Sequence, residues 1–192
     1  LELRSVCVYC SSAASAPQWL KDEVVSFGKG LAARGWRLVY GGASVGVMGA
    51  LADAVLGAGG QVLGVIPKAL VGREVAHQKL TELKIVETMH DRKAEMFNSA
   101  DAFVSFPGGF GTMEEFFEML TWKQLGIHNK PIVFINLRGY YDALLAQFER
   151  GIAEGLIKKE FRILYAVAGS SEQVFNLLAE APVMSRPPGK WY

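Results

Sequence analysis

The stretch Ala102-Phe103-Val104-Ser105-Phe106-Pro107-Gly108-Gly109-Phe110-Gly111-Thr112-Met113-Glu114-Glu115 constrains this chain more than any other. An apolar run ends at Pro107, Gly108, Gly109 and Gly111 follow, and the spacing predicts a helix from Thr112 with two acids in its first turn. Strand, glycine turn and helix start form a unit that presents bare backbone N–H groups to an anion such as a phosphate. An acid beside such a seat points to chemistry next to an anchored phosphate, rather than to phosphate binding alone.

The same alternation runs along the whole chain. Strand patterns cover residues 6–9, 37–40, 61–66, 84–86, 102–106 and 131–135, with a short one at 163–167. Helical patterns cover 17–34, a segment ending near 56, then 91–99, 112–125, 140–154 and 171–180; residues 67–79 read as the longest irregular piece. This order predicts an α/β, Rossmann-like, doubly wound and mostly parallel sheet of about six or seven strands with helices on both faces. The continuously apolar segment Ile132–Ile135 fits a sheet covered on both sides. A chain of 192 residues fits one domain. We place it at residues 1–181, with a three-proline tail at 182–192. In such sheets the strand-to-helix loops meet at one edge, where ligands bind. That edge would gather residues 10–12, 41–49, 67–74, 88–92, 107–112 and 136–139.

Composition and missing motifs exclude several functions. A formal net charge of +1 argues against nonspecific nucleic-acid binding, which needs a strong basic field. No run of about 18 apolar residues suggests a membrane span. Glu2 and Arg4 read against a signal peptide. Cys7 and Cys10 form one Cys-x-x-Cys with no second pair, and read as small buried residues in a reducing cytoplasm. His77, His90 and His128 are scattered, so no metal is expected. A dinucleotide fingerprint fails at Glu114 when read from Gly109 and at Ala43 when read from Gly41. Gly41 and Gly46 have P-loop spacing, but Val47 stands where the lysine belongs.

Two charged segments keep two readings each. Thr112-x-x-Glu115 matches a capping box, so Glu115 either reaches back to a backbone N–H or faces the loop edge together with Glu114 and Glu118. Arg92 and Lys93 stand at a helix start, where cations are disfavoured by about 0.3–1 kcal/mol. They either meet an anionic ligand or a carboxylate, or form a solvated turn with Asp91 or Glu95. The loop Gly41–Gly49 either lets a helix pack closely or lines the ligand.

Residues 107–115, preceded by Asp91-Arg92-Lys93-Ala94-Glu95-Met96 and by Gly41–Gly49, resemble the Lonely guy family of cytokinin riboside 5′-monophosphate phosphoribohydrolases, long labelled lysine decarboxylases. Trp122–His128 adds a fourth similar segment, and the resemblance spans Val6 to about Ala179. It implies hydrolysis of the N-glycosidic bond of adenine-type nucleoside 5′-monophosphates, AMP included, with no cofactor and no metal. It implies that Arg92 and Glu115 are catalytic. It implies substrate contacts from Glu74, Lys93, Gly108, Gly109, Phe110, Gly111, Thr112, Met113, Glu114 and Thr121. It also implies a homodimer with sites near the subunit interface. A decarboxylase would need a pyridoxal-binding lysine, for which the motifs offer no candidate. Relatives on this fold include nonenzymatic molybdenum cofactor carriers, which have no need of an acid paired with an arginine. His90-Asp91 replaces a glutamate common before Arg-Lys, and Ala43 replaces a common third glycine, without removing an expected catalytic group.

Overall fold

The computed structural model describes residues 3–72 and 76–181. Its centre is a seven-stranded sheet of β1 (Ser5–Tyr9), β2 (Arg37–Tyr40), β3 (Val62–Pro67), β4 (Glu82–Val86), β5 (Ala102–Ser105), β6 (Ile132–Ile135) and β7 (Ala166–Ala168). The order is β4-β3-β2-β1-β5-β6-β7, and every neighbouring pair is parallel. In register, Cys7 of β1 lies between Val39 of β2 and Phe103 of β5.

The two-residue period of the strands divides their apolar side chains between two cores. Val6 and Val8 face one side, with α1 (Gln18–Ala33), α2 (Gly46–Gly57) and α6 (Ser171–Glu180) packed over them. Cys7 and Tyr9 face the other, under α3 (Met89–Asn98), α4 (Phe110–Gln124) and α5 (Asp142–Ala153). With both faces covered, the central strands are mostly apolar, and β5, Ser105 included, and β6 are fully buried.

Two segments differ from their sequence reading. Residues 67–79 contain a 3-10 turn at Lys68–Leu70 and a bridge from Ala76 to Ala43, so part of this piece is tied to the loop after β2. The strand expected at 163–167 starts three residues later and ends one later, as β7, after a 3-10 helix at Lys159–Leu164. Phe161 and Leu164 are buried there at a spacing of three, the period of a 3-10 turn rather than of a strand.

β1 is followed in the chain by β2 on one side but pairs with β5 on the other. Connections leaving β1 and β5 therefore diverge to opposite faces, which opens a crevice at their carboxyl ends.

Candidate active site

A depression of about 340 Å³ occupies that crevice. Cys10, Ser11, Ser12 and Ala13 line it from the loop after β1, Met48 from α2 and Arg92 from α3. The start of α4 contributes Gly109, Phe110, Gly111, Thr112 and Glu115. A larger cavity of about 410 Å³ lies at the β6–β7 edge around Lys123, but its lining is mostly apolar and it contains neither the glycine loop nor Arg92. The smaller depression gathers the chemistry.

The helix of the glycine motif begins earlier than its spacing predicts. α4 starts at Phe110 with Gly109 as N-cap, and no side chain caps it. The first-turn N–H groups of a helix have no intrahelical acceptor, so they stay available to a ligand. Thr112 therefore lies within the first turn, 4% exposed. A Cβ on Gly108 would stand 2.2 Å from Thr112 Oγ1, so only glycine fits above it. Glu115, in the second turn of α4, is too far along to close a capping box at Gly109. The capping reading of Glu115 is thereby corrected.

The buried stripe of α4 is Thr112, Glu115, Phe116, Met119 and Lys123, at helical spacing. Glu115 thus sits on the sheet-facing side, 6% exposed, at the floor of the depression. Glu114 and Glu118 do not share its direction. They turn to α3, where Lys93 Nζ lies 2.6 Å from Glu114 Oε1 and 3.0 Å from Glu118 Oε1. Burial pulls the Lys93 pKa down, but hydrogen bonds to both carboxylates outweigh it and leave the group above the ordinary lysine value.

α3 carries the capping box that α4 lacks. Thr88 Oγ1 accepts from the Asp91 N–H at 3.1 Å, and the Thr88 N–H donates to Asp91 Oδ2 at 3.0 Å. Glu95 receives Lys84 at 2.6 Å and Ser99 at 2.8 Å. Neither acid is therefore the partner of Arg92, which is 4% exposed and donates from Nη2 to the Gly41 carbonyl at 3.1 Å. Arg92 Nε is buried and has no partner among the described residues. A Cβ on Gly41 would come within 1.9 Å of Nη2. Gly46, at φ +62°, brings the next loop so close to β1 that a Cβ would lie 2.5 Å from the Ser12 carbonyl. The glycines after β2 thus allow close packing that places Arg92 and Met48 at the depression.

Two charges meet at the end of β1. Burial pushes the Cys7 thiol well above its ordinary range, where it feels the Glu115 carboxylate and, in the opposite sense, the Arg92 guanidinium. Burial, with Glu115 adding to it, does the same to Cys10. Both thiols are free and buried, and both stay protonated. Among the described residues no group of three or more His, Cys, Asp or Glu side chains is arranged to hold a metal ion.

Of the residues implied by resemblance, Arg92, Gly109, Phe110, Gly111, Thr112 and Glu115 come together around the depression. Gly108 lies behind it, with its carbonyl accepting from Tyr140 Oη at 2.6 Å. Lys93 and Glu114 pair with each other, and neither they nor Met113 line the depression. Thr121 is exposed two turns further along α4, beside Phe117 and Leu120 at a separate cavity of about 150 Å³. Glu74 lies outside the described residues. Cys10, Ser11, Ser12 and Met48 line the depression from the edge loops 10–12 and 41–49, though sequence reasoning assigns none of them an individual role there; Ala13, one residue beyond the first of these loops, is missed.

A family model described as "Possible lysine decarboxylase" matches residues 48–178. "Probable cytokinin riboside 5'-monophosphate phosphoribohydrolase LOGL1" of Oryza sativa subsp. japonica is 48% identical over 175 residues, 91% of this chain and 78% of that protein. "Cytokinin riboside 5'-monophosphate phosphoribohydrolase LOG1" of Arabidopsis thaliana is 41% identical over 179 residues, 93% of this chain and 84% of that protein. Among solved structures, the molybdenum cofactor carrier protein of Chlamydomonas reinhardtii superimposes with a TM-score of 0.68 at 22% identity, covering 93% of this chain and all of the carrier. That likeness speaks for the fold alone. The relatives and the family model together show that the chain belongs to the Lonely guy family, whose general model carries the lysine decarboxylase description.

Proposed function

We propose that the protein hydrolyses the N-glycosidic bond of cytokinin riboside 5′-monophosphates, and of AMP, to release the adenine-type base and ribose 5-phosphate. The observation that carries this reading is the meeting of the uncapped start of α4 with buried Arg92 and buried Glu115 around one depression. The activities named for the 41–48% identical relatives support it.

In this reading the 5′-phosphate accepts hydrogen bonds from the N–H groups of Gly109, Gly111 and Thr112, each contributing roughly 1.5–3 kcal/mol because the acceptor is charged. Anchoring the phosphate places the ribose over Glu115. As the bond from the anomeric carbon to the base breaks, its electron pair leaves with the base nitrogen and positive charge grows on the ribose ring. The Glu115 carboxylate stabilises that charge and takes a proton from the attacking water. The leaving base nitrogen takes up a proton from solvent water, and Glu115 later returns its own to solvent, so one water is consumed overall. Arg92, fixed by Gly41, presents a guanidinium whose buried Nε–H fits a donor awaiting a substrate oxygen.

Glu74, Lys93, Gly108, Phe110, Met113, Glu114 and Thr121 complete the proposed substrate-contacting set. Thr121 and the depression lie apart on one chain, so a contact from Thr121 requires a second copy. The 91% exposure of Phe110 at the lip also fits a surface covered by a partner, and we propose a homodimer. The free thiols fit a cytoplasmic location. A carrier of nucleotide or cofactor is the weaker reading, since holding a ligand needs no buried acid beside an arginine.

The test is chromatography of free base after incubation with isopentenyladenosine 5′-monophosphate and, separately, AMP, with the Glu115→Gln protein alongside. Base release by the unsubstituted protein alone supports the reading, and the ratio of the two rates ranks the substrates. Nucleotide retained intact would favour the carrier.

A further inference from the structure

The loop after β6 ends in two consecutive tyrosines that reach across to the glycine loop after β5. Tyr140 Oη donates to the Gly108 carbonyl at 2.6 Å, and Tyr141 Oη donates to the Phe106 carbonyl at 2.6 Å. The two acceptors flank Pro107. Tyr141 is 2% exposed, and its hydroxyl also lies 3.1 Å from Ser105 Oγ. Burial pushes its pKa further above the ordinary tyrosine range, so it remains a donor. The rings meet edge to face, with centroids 5.0 Å apart.

The turn that delivers them is strained. Arg138 adopts φ +54°, the left-handed region that a non-glycine residue enters at a cost of about 1–3 kcal/mol. It is held there with its guanidinium 4.7 Å from the Trp19 ring centre. Asn136 Oδ1 accepts from the Tyr141 N–H at 2.7 Å, and Asn136 Nδ2 donates to Asp142 Oδ1 at 2.7 Å. A strained, cross-braced turn that ends in two hydroxyls on one loop calls for a reason beyond chain reversal.

We infer that Tyr140 and Tyr141 are positioning residues for the anion seat: they fix the Phe106–Pro107 and Gly108–Gly109 peptide planes so that the Gly109 N–H points into the depression. A trans peptide directs its C=O and the following N–H to opposite sides, and the described residues contain no cis peptide. Binding the Gly108 carbonyl on the Tyr140 side therefore turns the Gly109 N–H away from Tyr140. A Gly-Gly peptide rotates readily, because neither residue has a Cβ to oppose it. Without the clamp, the loop would present a carbonyl oxygen to the anion in part of its population. Phe106 is held by Tyr141 in the same way, which fixes the base of the loop where it leaves β5.

This inference rests on the proposed phosphate seat, and the experiment separates the two. Ribose 5-phosphate is titrated calorimetrically into the unsubstituted protein and into Tyr140→Phe, which loses only the hydroxyl of a half-exposed ring. The variant is expected to bind about five- to tenfold more weakly, the scale of one lost hydrogen bond. Its preference for nucleotide over the nucleoside without phosphate should shrink by a similar factor, while its thermal midpoint stays close to that of the parent. A structural role alone would lower the midpoint and depress both substrates equally. Equal affinity of the two proteins, or an equal loss on both substrates, overturns the inference. No binding of ribose 5-phosphate by the unsubstituted protein overturns the seat itself.

Discussion

Arg92 Nη2 lies 3.1 Å from the Gly41 carbonyl oxygen, and a Cβ on Gly41 would stand 1.9 Å from the same nitrogen. The loop after β2 thus sets the position of a side chain on α3, fifty-one residues later. Gly41→Ala forces the guanidinium off the carbonyl. A displacement of about 1 Å in a positioned group costs on the order of a hundredfold in rate. We expect Gly41→Ala to lose about that much in kcat/KM, and Arg92→Ala at least as much. Steady-state kinetics on both variants checks this. Near-normal turnover in Gly41→Ala would mean that the placement of Arg92 does not limit the reaction.

Glu115→Gln keeps the shape of a buried side chain while removing its charge. We expect it to fold and to retain nucleotide, with kcat lower by about 10²–10⁴-fold, the range of a lost general base. Calorimetric titration with AMP and single-turnover base release make the comparison. Full turnover with the amide would remove Glu115 from the chemistry.

The uncapped start of α4 leads to a prediction about the substrate. If the phosphate carries the anchoring, the nucleoside lacking it should react far more slowly, by about 10²-fold or more for two or more lost charge-assisted hydrogen bonds. Rates on isopentenyladenosine and its 5′-monophosphate, measured side by side, decide it. Equal rates would contradict the seat at Gly109–Thr112.

The sheet was legible in the sequence because strands buried on both faces read as plain apolar runs, as in Ile132–Ile135. The edge was legible too, since loops that follow parallel strands must share it. The capping was misread for a physical reason. Glycine caps α4 without a side-chain signature, whereas Thr112-x-x-Glu115 imitates one. The partners of the charges were also hidden: Lys93 meets Glu114 and Glu118 only because α3 and α4 lie side by side, which no local spacing reports. The same holds for Tyr140, whose acceptor is thirty-two residues away.

Lys123 ends the buried stripe of α4, 7% exposed and without a hydrogen bond or ion pair among the described residues. Burial lowers its pKa to about 8 from the ordinary 10.5. The sign follows from proton counting. Below about pH 8 both states carry the proton, and the native state bears the whole cost of a buried ammonium. Between about 8 and 10.5 the unfolded chain binds more protons than the native one, so this group makes stability rise with pH. Above that window the cost is gone. Lys123→Met should therefore stabilise the protein at pH 7, by on the order of 1–3 kcal/mol, and the advantage should shrink towards pH 10.5. Urea unfolding of both proteins at pH 7 and pH 10 measures it. A variant less stable than the parent at pH 7, or a difference that ignores pH, would show that the ammonium is satisfied in the folded chain.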